Sequence, residues 1–119
     1  QLFNRKEGLR AVLKFLGAGG MLAVFADQRV NTGELSDFFG VPALTTPLVG
    51  LLAKRSKVPV VSLTLGYDQN CKLLVRFRQV SFEGANNRAD YAQLTNRELE
   101  QMLSEDVTNG FWLHRRFVT

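Results

Sequence analysis

Two β-rich runs, Val58–Tyr67 and Lys72–Val80, stand on either side of a polar Asp68-Gln69-Asn70 segment. So short a polar connection turns the chain straight back on itself, because parallel neighbours need a crossover of a dozen or more residues. Side chains alternate along a strand. Val61, Leu63 and Leu65 therefore share one face of the first run, and Val60, Ser62 and Thr64 the other. In the second run Leu73, Val75 and Phe77 lie opposite Arg76 and Arg78. The spacing predicts a β-hairpin whose first strand is buried.

The rest of the chain is organised around that hairpin. Leu9, Val12, Leu13 and Leu16 fall at i, i+3, i+4 and i+7, which predicts an amphipathic helix over Lys6–Leu16. Gly17 to Gly20 ends it. Met21–Ala26 is a continuous apolar run that reads as a strand buried on both faces. It stops at Asp27-Gln28, and Asp27 to Leu44 then reads as a long connection without periodicity, of the kind that often carries function. Thr46-Pro47 is a helix start, with Thr46 as cap and proline at the first helical position. That helix runs to about Ser56 and ends with Lys54 and Arg55, where the helix dipole favours cations. A polar loop with Gly84, Asn86 and Asn87 leads to a final helix over Ala89–Glu105, whose apolar face is Tyr91, Leu94, Leu99, Met102 and Leu103. The order helix, strand, helix, strand, strand, helix implies one α/β domain with a mixed sheet and flanking helices. Three strands make a thin sheet, and the chain opens on Gln1; both features suggest part of a larger domain.

Several chemistries are excluded by what the chain lacks. With 119 residues and a net charge of +4, it suits anionic partners such as nucleic acid, a membrane surface or a phosphorylated substrate. The single cysteine, Cys71, allows no internal disulfide, and no apolar run reaches membrane-spanning length. Gly17-Ala18-Gly19-Gly20 follows a helix and precedes a strand, the reverse of a dinucleotide-binding loop. His114 is the only histidine and has two arginines beside it, which disfavours a metal site, and no Gly-x-Ser-x-Gly elbow offers it a nucleophile. Two candidates remain. Asp27 and Gln28 sit at a strand end, where α/β proteins place ligand-contacting groups, although Asp27 equally suits a turn cap. Arg115 and Arg116 follow Trp112 in an aromatic-basic cluster suited to a phosphate, a nucleic acid, a membrane surface or a docked tail. Arg5, ahead of the first helix, is open in the same way.

Taken in order, Phe25-Ala-Asp-Gln28, then the run from Phe38 to Pro47, then Ala53 to Leu65, then Phe111 to Phe117, resemble the late acyltransferases of lipid A biosynthesis, within the glycerolphosphate-acyltransferase-like superfamily. The resemblance covers nearly the whole chain. It implies transfer of a fatty acyl chain from acyl carrier protein to a hydroxyl of a phosphorylated glycolipid, at the cytoplasmic face of the inner membrane of a Gram-negative bacterium. It implies no metal or redox cofactor and no nucleic-acid partner. It also implies a His-x-x-x-x-Asp/Glu motif as general base and orienter. That motif is not present: five residues after His114 stands Thr119. Residues 1–119 are therefore expected to be the C-terminal part of the domain, inactive alone, with the base upstream. The resemblance places Arg5, Asp27, Gln28, Phe38, Phe39, Thr45, Thr46, Arg115 and Arg116 at the substrate site. The phenylalanines would line the acyl groove, and the threonines would face a phosphate or carbonyl oxygen. The alternatives are an acyltransferase for another glycolipid or a lysophospholipid, and a non-catalytic module that holds anionic lipid through Arg5, Arg76, Arg78, Arg115 and Arg116.

Overall fold

The predicted hairpin is present, and it is one of two. The computed structural model describes residues 8–110, 112 and 116–118. In chain order the elements are α1 (Gly8–Gly17), β1 (Glu34–Phe38), β2 (Val41–Thr45), α2 (Leu48–Ser56), β3 (Val60–Tyr67), β4 (Leu73–Val80) and α3 (Arg88–Glu105), followed by a 3-10 turn at Val107–Asn109. The chain is α/β, as expected. Among the described residues, however, the strands form two separate two-stranded antiparallel sheets, β1–β2 and β3–β4, and not one mixed sheet.

The β3–β4 hairpin runs in unbroken register from Val60↔Val80 to Tyr67↔Leu73. Its turn is built by Asp68, whose carboxylate accepts from the backbone N–H groups of Asn70 and Lys72, each at 2.8 Å. Such Asx bonding substitutes for a backbone turn. The β1–β2 hairpin overturns the expectation of an unstructured connection from Asp27 to Leu44. Phe38 pairs with Val41, so the turn is only Phe39-Gly40, and both residues have positive φ, at 52° and 76°. That is the backbone of the tight two-residue turns that match strand twist. The turn is not obvious in the sequence, because phenylalanine is a poor left-handed residue. The alternation of β1 is also mixed: Ser36 shares the buried face with Phe38, while Leu35 is exposed.

Met21–Ala26 is a second correction. It forms no strand, and Met21 and Phe25 are 91% and 80% exposed. A strand is defined by its ladder partner, and among the described residues this run has none. An apolar run of this length does not specify a strand by periodicity alone.

The helices follow their signals closely. Thr46 Oγ1 accepts from the Leu48 N–H at 3.2 Å, and Pro47 sits at the N-cap itself, one position before the helix proper. α2 ends on Lys57 in the left-handed conformation, its N–H donated to Ala53 O. At α3, Asn87 Oδ1 accepts from the Asp90 N–H at 3.0 Å, while the Asp90 carboxylate accepts from the Asn87 N–H at 3.3 Å. This reciprocal capping box satisfies two donors that a helix start leaves open.

α3 is the element on which the others rest, packing against β1, β2 and α2. Phe38, Ala43 and Leu103 form the core, flanked by Leu99 and Phe117. The hairpin edge is held by polar side chains of α3. Gln93 accepts from the Asp37 N–H at 2.9 Å and donates to Asp37 O at 3.1 Å; Glu100 accepts from the Phe39 N–H at 2.6 Å. The helix thus supplies the edge of β1 with hydrogen bonds that a further strand would otherwise make.

At the α2–α3 contact, a Cβ on Gly50 would stand 2.2 Å from the Tyr91 ring and 3.0 Å from Phe82. Glycine to alanine in a helix ordinarily stabilises by up to about 1 kcal/mol. Here the sign reverses: Gly50→Ala is expected to destabilise the chain by about 1–3 kcal/mol through overpacking, measured by urea unfolding. An unchanged or raised midpoint would show that Tyr91 is not fixed against α2.

Candidate functional site

Arg116 is 4% exposed, which is rare for a cation and requires an explanation. The segment Arg116–Val118 lies along β2. Leu44 N–H donates to Arg116 O at 3.3 Å, Val118 N–H donates to Pro42 O at 2.9 Å, and Phe117 bridges Ala43. This pairing carries the Arg116 guanidinium beneath the β1–β2 hairpin. Its Nη2 donates to Thr45 Oγ1 at 2.9 Å and to Asn96 Oδ1. Thr45 Oγ1 also donates to Asn96 Oδ1 at 2.9 Å. Asn96 Nδ2 in turn donates to Ser36 Oγ at 2.9 Å and to Asp37 O at 2.8 Å. The guanidinium carbon stands 4.1 Å from the Phe38 ring centroid, within cation–π range. Thr45 and Asn96 are fully buried. One network therefore joins β1, β2, α3 and the C-terminal segment.

The charge in this network lies within the field of nearby carboxylates. Burial pushes the Arg116 guanidinium below its ordinary range, and the carboxylates of Asp27 and, less strongly, Glu100 push it back up. Asp27 therefore lies within electrostatic reach of a buried cation. Among the described residues, the Arg116 Nε and Nη1 atoms are buried without an acceptor. A guanidinium stays protonated at any working pH, so its desolvation cost is permanent and those opposing charges offset part of it.

An open groove of about 370 Å³ lies elsewhere, between the end of α2, the start of β3, the end of β4 and Tyr91. Val58, Pro59, Val60, Val80 and Phe82 give it apolar walls, and Lys54 sets a cation at its rim, 5.9 Å from the Tyr91 ring centroid.

The sequence matches the profile of the bacterial lipid A biosynthesis acyltransferases over residues 1–119, its whole length. The chain belongs to this acyltransferase family. A search of curated proteins found no match.

Against that membership, the residues assigned by resemblance divide into three groups. Phe38, Thr45 and Arg116 are brought together, with Asp27 electrostatically near. Phe39 lies at the hairpin turn, 47% exposed, edge-on to Phe38 at 4.8 Å. Thr46 is used in the helix cap, and Gln28 is exposed beside Asp27. Arg5 and Arg115 lie outside the described residues, as does His114. Phe38 and Phe39 belong to the β1–β2 hairpin, not to a loop, and Phe38 is packed beneath the cation. Of the arginines proposed for lipid contact, Arg78 is engaged by Glu98 at 3.5 Å and by Glu105.

Asn96 and Ser36 were missed. Asn96 falls four residues after Ala92 and three before Leu99, on the buried side of α3. A polar residue inside an apolar helical stripe is the signal that would have found it.

The network ranks two substitutions. Asn96→Leu leaves a buried guanidinium, two hydroxyls and a carbonyl without their shared partner, at a cost of about 3 kcal/mol. Arg116→Met removes the charge together with its desolvation cost and leaves the Thr45–Asn96 bond intact, so its cost is about 1 kcal/mol. Chemical denaturation of both variants is expected to give that order; the reverse order would mean that Arg116, and not Asn96, holds the network together.

Proposed function

We propose that residues 1–119 form the C-terminal part of one acyltransferase domain, which moves a fatty acyl chain from acyl carrier protein to a hydroxyl of a phosphorylated lipid A precursor. In this reading the acceptor hydroxyl attacks the thioester carbonyl, the carbon–sulfur bond breaks, and the carrier thiol leaves. The base takes the hydroxyl proton, which ends on the departing sulfur. No His-x-x-x-x-Asp/Glu motif occurs in the 119 residues, so the base is assigned to a segment outside them, and this chain alone is inactive. The work is set at the inner-membrane surface, on its cytoplasmic side. Among the described residues no helix is long and apolar enough to cross a membrane.

The family match over the full chain is the observation that carries the reading. The placement of Asp27 beside a buried, rigidly held cation supports its role at the acceptor site. The groove below Lys54 also supports it: apolar walls and one rim cation suit a hydrocarbon chain attached to an anionic group. Transfer needs no metal or redox group, because a positioned base and oxyanion-stabilising donors suffice for acyl exchange.

Asp27→Ala in the full-length gene product is expected to lower acyl-transfer turnover by on the order of 10- to 100-fold while the far-ultraviolet circular dichroism and melting curve stay those of the parent. Product is followed by mass spectrometry with acyl carrier protein thioester as donor. Parental turnover in a well-folded variant would remove Asp27 from the site. Loss of all transfer by the full-length parent, with saturable and salt-sensitive binding to anionic vesicles, would favour the lipid-binding module instead.

A further inference from the structure

A buried arginine is ordinarily met by a carboxylate, which cancels its charge where water cannot. Arg116 is buried, and more chain around it can only deepen that burial. Among the described residues, however, its hydrogen-bond acceptors are a hydroxyl and an amide. Nη2 donates to Thr45 Oγ1 at 2.9 Å and to Asn96 Oδ1, and neither partner is charged. Nε and Nη1 are buried with no acceptor among those residues. Asn96 is fixed from its other end, where Nδ2 donates to Ser36 Oγ at 2.9 Å and to Asp37 O at 2.8 Å. The amide is thus oriented by β1 and presents its oxygen to the cation. Buried groups that are costly to a fold and left partly unsatisfied concentrate where the protein uses them.

We propose that Arg116 is a positioning residue for acyl transfer, and that Asn96 holds its guanidinium in place without cancelling its charge. The proposal rests on the reading of Asp27 as part of the acceptor site. Three observations support it. The first is the choice of partner. A carboxylate in place of the Asn96 amide would accept the same bonds from Arg116 and Thr45, and more strongly, but would neutralise the cation. The amide fixes the orientation of the guanidinium and leaves its field intact. The second is rigidity. Leu44 N–H donates to Arg116 O at 3.3 Å, the guanidinium is bonded to β2 and α3, and its carbon lies 4.1 Å from the Phe38 ring centroid. A cation so held and so covered acts through a neighbour and not by gripping substrate. The third is direction. Burial lowers the pKa of Arg116, and the carboxylates of Asp27 and then Glu100 work against it. Glu100 is engaged by the Phe39 N–H at 2.6 Å, and Asp27 is the stronger influence of the two. A fixed positive charge biases where the Asp27 carboxylate sits, and so where that carboxylate holds the acceptor hydroxyl.

Steady-state kinetics on the full-length gene product test this, with acyl carrier protein thioester as donor and product followed by mass spectrometry. Arg116→Met removes the charge and is expected to lower kcat by about 10- to 100-fold, with KM for the donor within about threefold of the parent. Arg116→Lys returns a charge without the planar fork and is expected to recover part of that loss. A purely structural role predicts the opposite order, since an apolar side chain suits a buried site better than an ammonium does. Asn96→Asp keeps acceptors for Arg116 and Thr45 but neutralises the guanidinium, so it is expected to lower kcat as Arg116→Met does. It also keeps the test open where Arg116→Met loses the fold, which circular dichroism reports for every variant. Ser62→Ala removes a different polar tie of α3, to Glu98, and leaves kcat within about threefold. In an Asp27→Ala background, Arg116→Met is expected to change turnover by less than about threefold, because it acts through that carboxylate. Equal losses in both backgrounds overturn the proposal, as does parental kcat in a folded Arg116→Met or Asn96→Asp variant. Parental turnover of Asp27→Ala itself is a different failure, and removes the acceptor-site reading on which the proposal stands.

Discussion

A buried cation, Arg116, ties the β1–β2 hairpin to α3. Arg116 comes from the far end of the chain, enters beneath the β1–β2 hairpin, and is held by Thr45 and Asn96 under the ring of Phe38. Each of these four residues comes from a different element, so the full network forms only when hairpin, helix and C-terminal segment have met. A network of this kind has high stakes: satisfied, it selects one arrangement; partly satisfied, it costs more than an apolar core would. The apolar core beside it is small, with Phe38, Ala43 and Leu103 at its centre, so polar specificity carries much of the packing here.

The same preference for polar docking recurs along α3. Gln93, Asn96 and Glu100 serve β1, while Glu98 and Glu105 serve β3–β4. One helix thus bridges two sheets by directed bonds on two of its sides. The polar inner face of β3–β4 follows from this, because Ser62 and Arg78 must point at the helix to reach Glu98. Strict alternation then sends Leu63, Leu65, Val75 and Phe77 outward.

How legible this was depended on whether a signal was local. The β3–β4 hairpin, the existence of α2 and α3 and the α/β class were all readable, since a polar turn between two runs of period two and a helical apolar spacing are each written within a few residues. The α2 cap was misplaced by one residue, with Pro47 at the N-cap where Thr46 was expected, and the α3 capping box was not read. The β1–β2 hairpin was not. Its turn is Phe39-Gly40 in place of an asparagine-glycine pair, and its buried position is Ser36, whose burial is rewarded only by Asn96, sixty residues away. Met21–Ala26 misled for the opposite reason: its composition is that of a strand, but composition supplies no partner. The family blocks include Asp27, Thr45 and Arg116, which the structure links by a hydrogen bond and by charge. They were silent on Asn96, because its role exists only once four segments converge.

That convergence also bears on the surroundings of Asp27. Asp27 lies in an irregular segment, without strand bonds on either side to fix it. One source of order around it is the opposite charge. Arg116 cannot move without breaking bonds to two elements, so the field it projects toward Asp27 is fixed in direction even though Asp27's own backbone is not in regular structure. The guanidinium is thus a rigid source of positive potential toward the segment that carries Asp27. A surface lysine, with its flexible stem, would supply the charge without the direction.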